Sequence, residues 1–340
     1  MLKVGLIGAG WVTQHHLGAW KKLSDRAAVV AIADPSEENR SRRAREFGIP
    51  ASYENAHAML GACDLDAVDI AAPRAVHADL VRLASDKGLA VLCQKPLAPT
   101  LYEAEQLVAD VDSRIRLMVH ENWRFRAWYR QAAKWIRDGA IGDVTAASLS
   151  LITSGTLPDE NGRFPAFTRQ PFMQTESRML VAEVLIHHLD TLRMLLGPLH
   201  VRAASLTQTC RDMAGEDGAV IHLSTQEGTG VSVVASFAAK GQPTALTDKL
   251  FIIGSKGTIR LDGNELTLCA DSTERLSFDP AVVYADSYAS AIGHFVDSLR
   301  DDRPFETSAA DNLGTLRLVE DCYSLAGHAS SAGVRARFPR

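Results

Sequence analysis

Little in this chain provides for covalent staples or a bound metal. Its five cysteines, Cys63, Cys93, Cys210, Cys269 and Cys322, are far apart, odd in number and contain no C-x-x-C pair. That pattern suggests neither a disulfide framework nor a zinc site, so the cysteines read as small apolar residues in a reducing compartment. Long hydrophobic runs are missing as well. No window approaches the ~20 apolar residues a membrane helix needs, and no basic apolar leader precedes the strand-like start at Leu2, so a cytoplasmic protein with no membrane partner is expected. Positive charge is not in excess. The formal net charge is -5 and no basic block exceeds the mixed run Arg40 to Arg45, which argues against nucleic acid as a partner. Repeats and low-complexity linkers are absent too. What remains is 340 residues with 46% hydrophobic and 23% charged content, enough for two domains with cores of their own.

The first third alternates strand-like and helix-like runs. Strands are expected at Leu2 to Ile7, Ala27 to Ala33, Ala67 to Ala71, Leu89 to Cys93 and Leu117 to Val119. Helical patterns at Glu37 to Phe47, Val76 to Lys87 and Leu101 to Val111 separate them. Near-continuous apolar strands between helices predict a parallel sheet covered on both faces. The first strand-to-helix turn is Gly8-Ala9-Gly10-Trp11-Val12-Thr13: Gly8 serves the tight turn and Gly10 admits a pyrophosphate against helix N-terminal amides. The third glycine of the dinucleotide fingerprint is replaced by Thr13. Asp34 ends the second strand, 24 residues past Gly10, where a carboxylate accepts from ribose hydroxyls and repels a 2′-phosphate; NAD is therefore expected rather than NADP. Asp34-Pro35-Ser36 also fits an ordinary helix cap. Val91-Leu92-Cys93-Gln94-Lys95-Pro96 places a lysine just past a buried strand's carboxyl end, the edge at which open α/β sheets bind ligands. Such a lysine can donate to a substrate oxygen, although an isolated lysine is more often solvated surface.

Beyond Asn122 the pattern changes, and we place the domain boundary there, with a dinucleotide domain over 1–121 and a substrate-binding and oligomerisation domain over 122–340. A helix over Ala127 to Arg137 precedes strands near Asp143 to Leu151, Val201 to Thr209, Ala219 to Ser224, Val231 to Phe237, Lys249 to Ile253, Thr258 to Leu261 and Glu265 to Cys269. Partial alternation predicts a mainly antiparallel sheet with one face free, and helices over Tyr284 to Arg300 and Ala309 to Ala326 close the chain. In the segment Leu180 to Leu196, a count of 100° per residue puts Val181, Leu185, Leu189, Leu192 and Leu196 on one stripe. The same count puts Glu183, His187 and Asp190 within about 60° on the other side. The bland alternative is an exposed face with an i,i+4 Glu/His pair. His188 points elsewhere and reads as structural. The polar loop Leu157 to Thr175, broken by four Pro and Gly residues, is long for a connection and offers Arg163, Arg169 and Gln170 to hydroxyls or a carboxylate.

Taken together, Gly8-x-Gly10 with His16 following, Ala72-Pro73 with His77, Gln94-Lys95-Pro96, Asn122-x-Arg124-Phe125 and Glu183-x-x-x-His187-x-x-Asp190 resemble the Gfo/Idh/MocA family of NAD(P)-dependent sugar and polyol oxidoreductases. The likeness runs from Leu2 to the last helix. His120-Glu121-Asn122-Trp123-Arg124-Phe125 and Arg169-Gln170-Pro171-Phe172 are most similar to the branch containing apiose-type aldose dehydrogenases. Two departures stand out. The family writes Glu-Lys-Pro where this chain has Gln94-Lys95-Pro96, and Asp with Gly two residues on where it has Glu183 and Leu185. The resemblance implies an N-terminal Rossmann domain with a doubly wound parallel sheet, and a C-terminal α+β domain whose large, mainly antiparallel open sheet pairs subunits into a homodimer or homotetramer. It implies hydride transfer between NAD and a secondary hydroxyl or lactol carbon of a sugar, polyol or sugar acid. Lys95, His187 and Glu183 would be the catalytic group, with no metal. Gly8, Gly10, Trp11, Val12, Asp34, Ala72, Pro73, His77, Gln94, Lys95 and Asn122 would hold cofactor, and Arg124, Arg163, Arg169, Gln170 and Asp190 would serve substrate. Relatives of other classes are NAD-dependent glycosidases, which oxidise a carbon transiently, and non-catalytic sugar-sensing regulators.

Overall fold

Six runs rich in Val, Ile, Leu and Ala form a parallel sheet: β1 (Leu2–Ile7), β2 (Ala27–Ala33), β3 (Ala51–Tyr53), β4 (Ala67–Ile70), β5 (Ala90–Gln94) and β6 (Leu117–His120). The structure is a computed structural model that describes residues 1–327. Strand order is β3-β2-β1-β4-β5-β6, so the order reverses between β1 and β4, the switch point where an open α/β sheet leaves a crevice at its carboxyl edge. Helices over Thr13–Lys22, Glu37–Phe47, Ala56–Ala62, His77–Ser85 and Leu101–Val111 make the crossovers. The helix over Leu101–Val111 starts with a full capping box, in which Thr100 and Glu103 satisfy each other's backbone N–H groups.

Two compact units emerge. The first is Met1–Arg126 with Ala281–Leu316, and the second is Ala127–Pro280 with the described chain after Leu316. The end of the 122–340 segment, from 328, lies outside the described residues. In the first unit the helix over Pro280–Arg300 joins the sheet's core: Ile292, Phe295 and Phe305 cluster with Trp20, Leu92 and Met118. Each such fully buried side chain contributes about 1.5–3 kcal/mol. Thr307 ties in the sheet's edge, its carbonyl accepting from Val119 N–H at 2.8 Å and its hydroxyl donating to Val119 O at 2.6 Å.

The second unit carries an eight-stranded sheet of order β14-β13-β12-β11-β7-β10-β9-β8. Its strands are β7 (Val144–Ile152), β8 (Leu199–Thr207), β9 (Gly218–Thr225), β10 (Gly230–Ser236), β11 (Asp248–Gly254), β12 (Thr258–Asp262), β13 (Glu265–Cys269) and β14 (Thr273–Ser277). All neighbours are antiparallel except β7 and β10, which run parallel. Alternation is clean. Ala147, Leu149, Leu151, Val231, Val233, Leu250 and Ile252 point to the buried face. Val220, Val234, Phe251 and Ile253 point to the other and remain 38–42% exposed.

One expectation is corrected. The segment Leu180 to Leu196 is not one α-helix: Leu180–Leu185 is a π-helical turn and Ile186–Leu196 is α-helical. Ile186 N–H reaches back to Val181 O, a step of five, so a count of 100° per residue over-rotates the first turn. Nor is there one packed stripe with an open opposite face, because His187, His188, Asp190 and Thr191 are all buried alongside Leu189 and Leu192. No helix among the described residues is long and apolar enough to cross a membrane.

Candidate active site

In the first unit the expected cofactor residues gather at the carboxyl edge. Gly8 has φ +109°, and a Cβ on it would stand 2.3 Å from Ala71 O at the end of β4, so only glycine fits. A Cβ on Gly10 would meet nothing within 4 Å: that space lies open to an approaching pyrophosphate, and the loop fits a dinucleotide. Trp11 is 45% exposed and meets His15 edge-on at 4.9 Å, while Val12 occupies the position before the following helix and makes no side-chain capping bond. Asp34 binds the loop itself. Its Oδ2 accepts Ala9 N–H at 2.7 Å and its Oδ1 accepts Ser36 N–H at 2.8 Å, while Ser36, not Asp34, caps the next helix. Arg40 sits beside it on Asp34 O and Pro35 O, and the buried Arg43 points one nitrogen to Gly10 O.

Two loops meet at His77. Its Nδ1 lies 2.9 Å from Pro96 O and its Nε2 2.8 Å from Ala72 O. A carbonyl only accepts, so at either contact it is a ring N–H that donates. The turn after β4, with Ala72 and Pro73, is thereby fastened to the turn that carries Lys95.

Gln94 fixes that turn from inside. Lys95 N–H donates to Gln94 Oε1 at 3.0 Å, which orients the amide, and its Nε2 then faces His16 Nε2 at 2.8 Å and His120 Nδ1 at 3.3 Å. Amide hydrogens donate to both rings, leaving His16 Nδ1–H to donate to the buried Asp69 at 2.8 Å, where Trp20 Nε1 also donates at 2.7 Å. Lys95 itself is partly buried. Asn122 is buried and its amide donates to Ser287 Oγ at 2.8 Å. Arg124, 5% exposed, donates to Glu306 O and to Asp311 Oδ2, each at 3.1 Å, so these groups hold its guanidinium within this unit.

In the second unit the π-helical turn is held by a buried acid. Glu216 accepts Val181 N–H at 2.9 Å and Met179 N–H at 3.2 Å, and Tyr323 O–H donates to it at 2.5 Å while accepting from Ala182 N–H. Burial pushes both the Glu216 carboxyl and the Tyr323 phenol up from their ordinary values. The turn carries Glu183, half-buried, four residues ahead of His187, which is 7% exposed and whose carbonyl accepts from Thr191 Oγ. His188 is structural, as expected. Its Nε2 lies 2.9 Å from Asp248 Oδ1, and Tyr129 O–H donates to Asp248 Oδ2, so strand β11 fixes the helix's rotation and with it His187. Asp190 is fully buried, 3.9 Å from Arg193. The loop residues behave differently. Arg163 is exposed and bonded to Asp159, Arg169 is exposed, and Gln170 ends the short helix over Pro165–Arg169. Among the described residues no cluster of His, Cys, Asp and Glu could hold a metal ion.

Sequence reasoning missed the Asp69–His16–Gln94–His120 network, Glu121, and the Glu216–Tyr323 pair. A charged residue inside the otherwise apolar run Ala67–Ile70 was the available signal for the first.

Comparison with known proteins bears on the fold and the family. Residues 2–121 match the family model described as the oxidoreductase family, NAD-binding Rossmann fold (GFO_IDH_MocA), and residues 129–260 match the GFO/IDH/MocA C-terminal domain. A D-apiose dehydrogenase of Paraburkholderia graminis is 34% identical, with 94% of this chain and 86% of the relative covered. A second D-apiose dehydrogenase, from Rhizobium rhizogenes, is 31% identical with 98% of each covered. The crystal structure of an oxidoreductase from Agrobacterium radiobacter in complex with NAD+, L-tartaric acid and magnesium superposes with a TM-score of 0.89, 29% identity and 96% of each chain covered.

Proposed function

The chain belongs to the Gfo/Idh/MocA family of NAD-binding oxidoreductases, and from that premise we propose that it transfers hydride between NAD and a secondary hydroxyl or lactol carbon of a sugar, polyol or sugar acid. The observation that carries the reading is the edge of the first unit, where an open glycine loop bound by Asp34 and a fastened lysine turn share one carboxyl edge. Backbone of Gly8 to Val12 would take the pyrophosphate, Asp34 the adenosine ribose, and Ala72, Pro73, His77, Gln94 and Asn122 the ribose and nicotinamide. Bound NAD supplies the hydride acceptor. The ammonium of Lys95 stabilises the alkoxide that develops on the substrate oxygen, and the imidazole of His187 accepts the hydroxyl proton, with Glu183 favouring the charged ring. Arg124, Arg163, Arg169, Gln170 and Asp190 are the proposed substrate-side groups; Arg163 and Arg169 suit a carboxylate or vicinal hydroxyls, while Asp190 acts by orienting its helix.

The second sheet's open face, with Val234 directly opposite Val220 and with Phe251 and Ile253 beyond β7 on β11, is proposed to pair with a second copy in a homodimer or homotetramer. Free cysteines suit a cytoplasmic, reducing setting. The experiment is a screen of aldoses, polyols and sugar acids against NAD and NADP, read at the reduced nicotinamide absorbance band. Net NADH with at least one sugar-class compound is expected. Tight NAD binding with no net NADH from any of them would overturn the reading in favour of a regulator or a transient oxidiser.

A further inference from the structure

Lys95 has an acidic neighbour that the mechanism above leaves unused. Strands β5 and β6 pair Gln94 with His120, so the next residues on each, Lys95 and Glu121, leave the sheet side by side at the carboxyl edge. Gln94 cannot serve as counter-charge: it is neutral, and its amide is divided between two imidazoles and Lys95 N–H. Glu121 is fully buried and held in a tight turn by its N–H donating to Val119 O at 2.9 Å. The groups that act on its carboxyl include Lys95 from the turn after β5, Arg124 from the short turn Trp123–Phe125, and Asn312 and Asp311 from the helix over Ala309–Leu325. Arg124 divides its charge with Asp311, to which it is bonded, and Lys95 is the stronger of the two cations acting on Glu121.

We propose that Glu121 is the positioning residue of Lys95, an acid moved one strand over from the place where the Glu-Lys-Pro pattern carries it, whose ionisation holds the ammonium in place. Lys95 acts on substrate; Glu121 acts through Lys95. Burial pushes the Glu121 carboxyl up to about 7, with Lys95 and then Arg124 pulling the other way, so the hold is complete above neutrality and released below it. The inference rests on the role of Lys95 given above, and a limb in the pH–rate profile would not isolate it, because the general base of the proposed mechanism would contribute a limb of its own.

The test therefore reads Lys95 directly. The full chain is reductively methylated with 13C-formaldehyde, which keeps the lysine charge, and the dimethyl-Lys95 resonance, assigned by its loss in Lys95→Arg, is followed from pH 5.5 to 9. The wild-type resonance is expected to show an inflection near pH 7 that Glu121→Gln abolishes and His187→Ala retains. No inflection in the wild type, its survival in Glu121→Gln, or its loss in His187→Ala would each overturn the proposal. Should Glu121→Gln not fold, Glu121→Asp is expected to displace the inflection, and an unmoved one overturns the proposal equally. No substrate is needed, so a failed sugar screen leaves this test standing, and a failed titration leaves the dehydrogenase reading standing.

Discussion

Replacing Glu121 by Gln removes a carboxyl that the fold holds in its protonated form past its ordinary range, and the size of the effect on stability can be worked out. The unfolded chain releases this proton around 4.5 and the folded protein around 7. Between those values the folded state binds more protons than the unfolded one, so wild-type stability falls as pH rises through the window. At about 1.4 kcal/mol per pKa unit the full penalty above the window is about 3 kcal/mol. Gln keeps the volume and the hydrogen-bonding capacity towards Asn312 and has no proton to lose. Relative to wild type, Glu121→Gln should therefore gain roughly 2–3 kcal/mol between pH 5 and pH 8, whatever its offset at pH 5. Urea unfolding of both proteins at the two pH values, with slopes compared so that the denatured states match, measures this difference. A pH-independent difference, or one that moves in favour of wild type at pH 8, refutes the argument that burial dominates at Glu121.

Three further outcomes follow from the site. Lys95→Met and His187→Ala should each lower kcat by at least ~10²-fold with little change in NAD affinity, and the double variant should be far less than additively worse; near-wild-type turnover in both, with a good substrate in hand, sinks the pair. Asp34→Ala frees the Ala9 and Ser36 N–H groups and should weaken NAD by about 10-fold while narrowing the preference over NADP; tighter wild-type binding of NADP than of NAD in the titration contradicts the role of Asp34. Phe251→Glu on the open sheet face should convert oligomer to monomer by sedimentation, and a wild-type protein already monomeric at micromolar concentration removes the basis for pairing there.

Much of this architecture is legible because apolar runs and glycine turns are local signals. Leu2–Ile7, Ala27–Ala33 and the helix Ala127–Arg137 fall on the residues their patterns mark. The edge strands β3 and β14 escape the reading, since a three-residue Ala-Ser-Tyr and a polar Thr-Glu-Arg-Leu-Ser show neither length nor alternation. The parallel pairing of β7 with β10 is invisible for another reason: alternation says which way side chains point and nothing about chain direction. The π-helical turn depends on distant partners, Glu216 lying 35 residues from Val181 and Tyr323 lying 141 from Ala182. No window around Leu180 contains that information.

Residue 94 shows how a departure from a family pattern can carry structural meaning. A carboxylate there would offer only acceptors, yet its neighbours His16 Nε2 and His120 Nδ1 both need a donor, and only Lys95 N–H needs an acceptor. A primary amide supplies two hydrogens and one oxygen, which satisfies all three. The buried charge then lies one step further in, on Asp69, where His16 and Trp20 share it, and on Glu121 at the next strand end. A glutamate at 94 would force a proton onto one imidazole and add a third carboxyl to an interior already holding two. The neutral glutamine is thus consistent with the acids around it, and the lysine it precedes takes its counter-charge from β6.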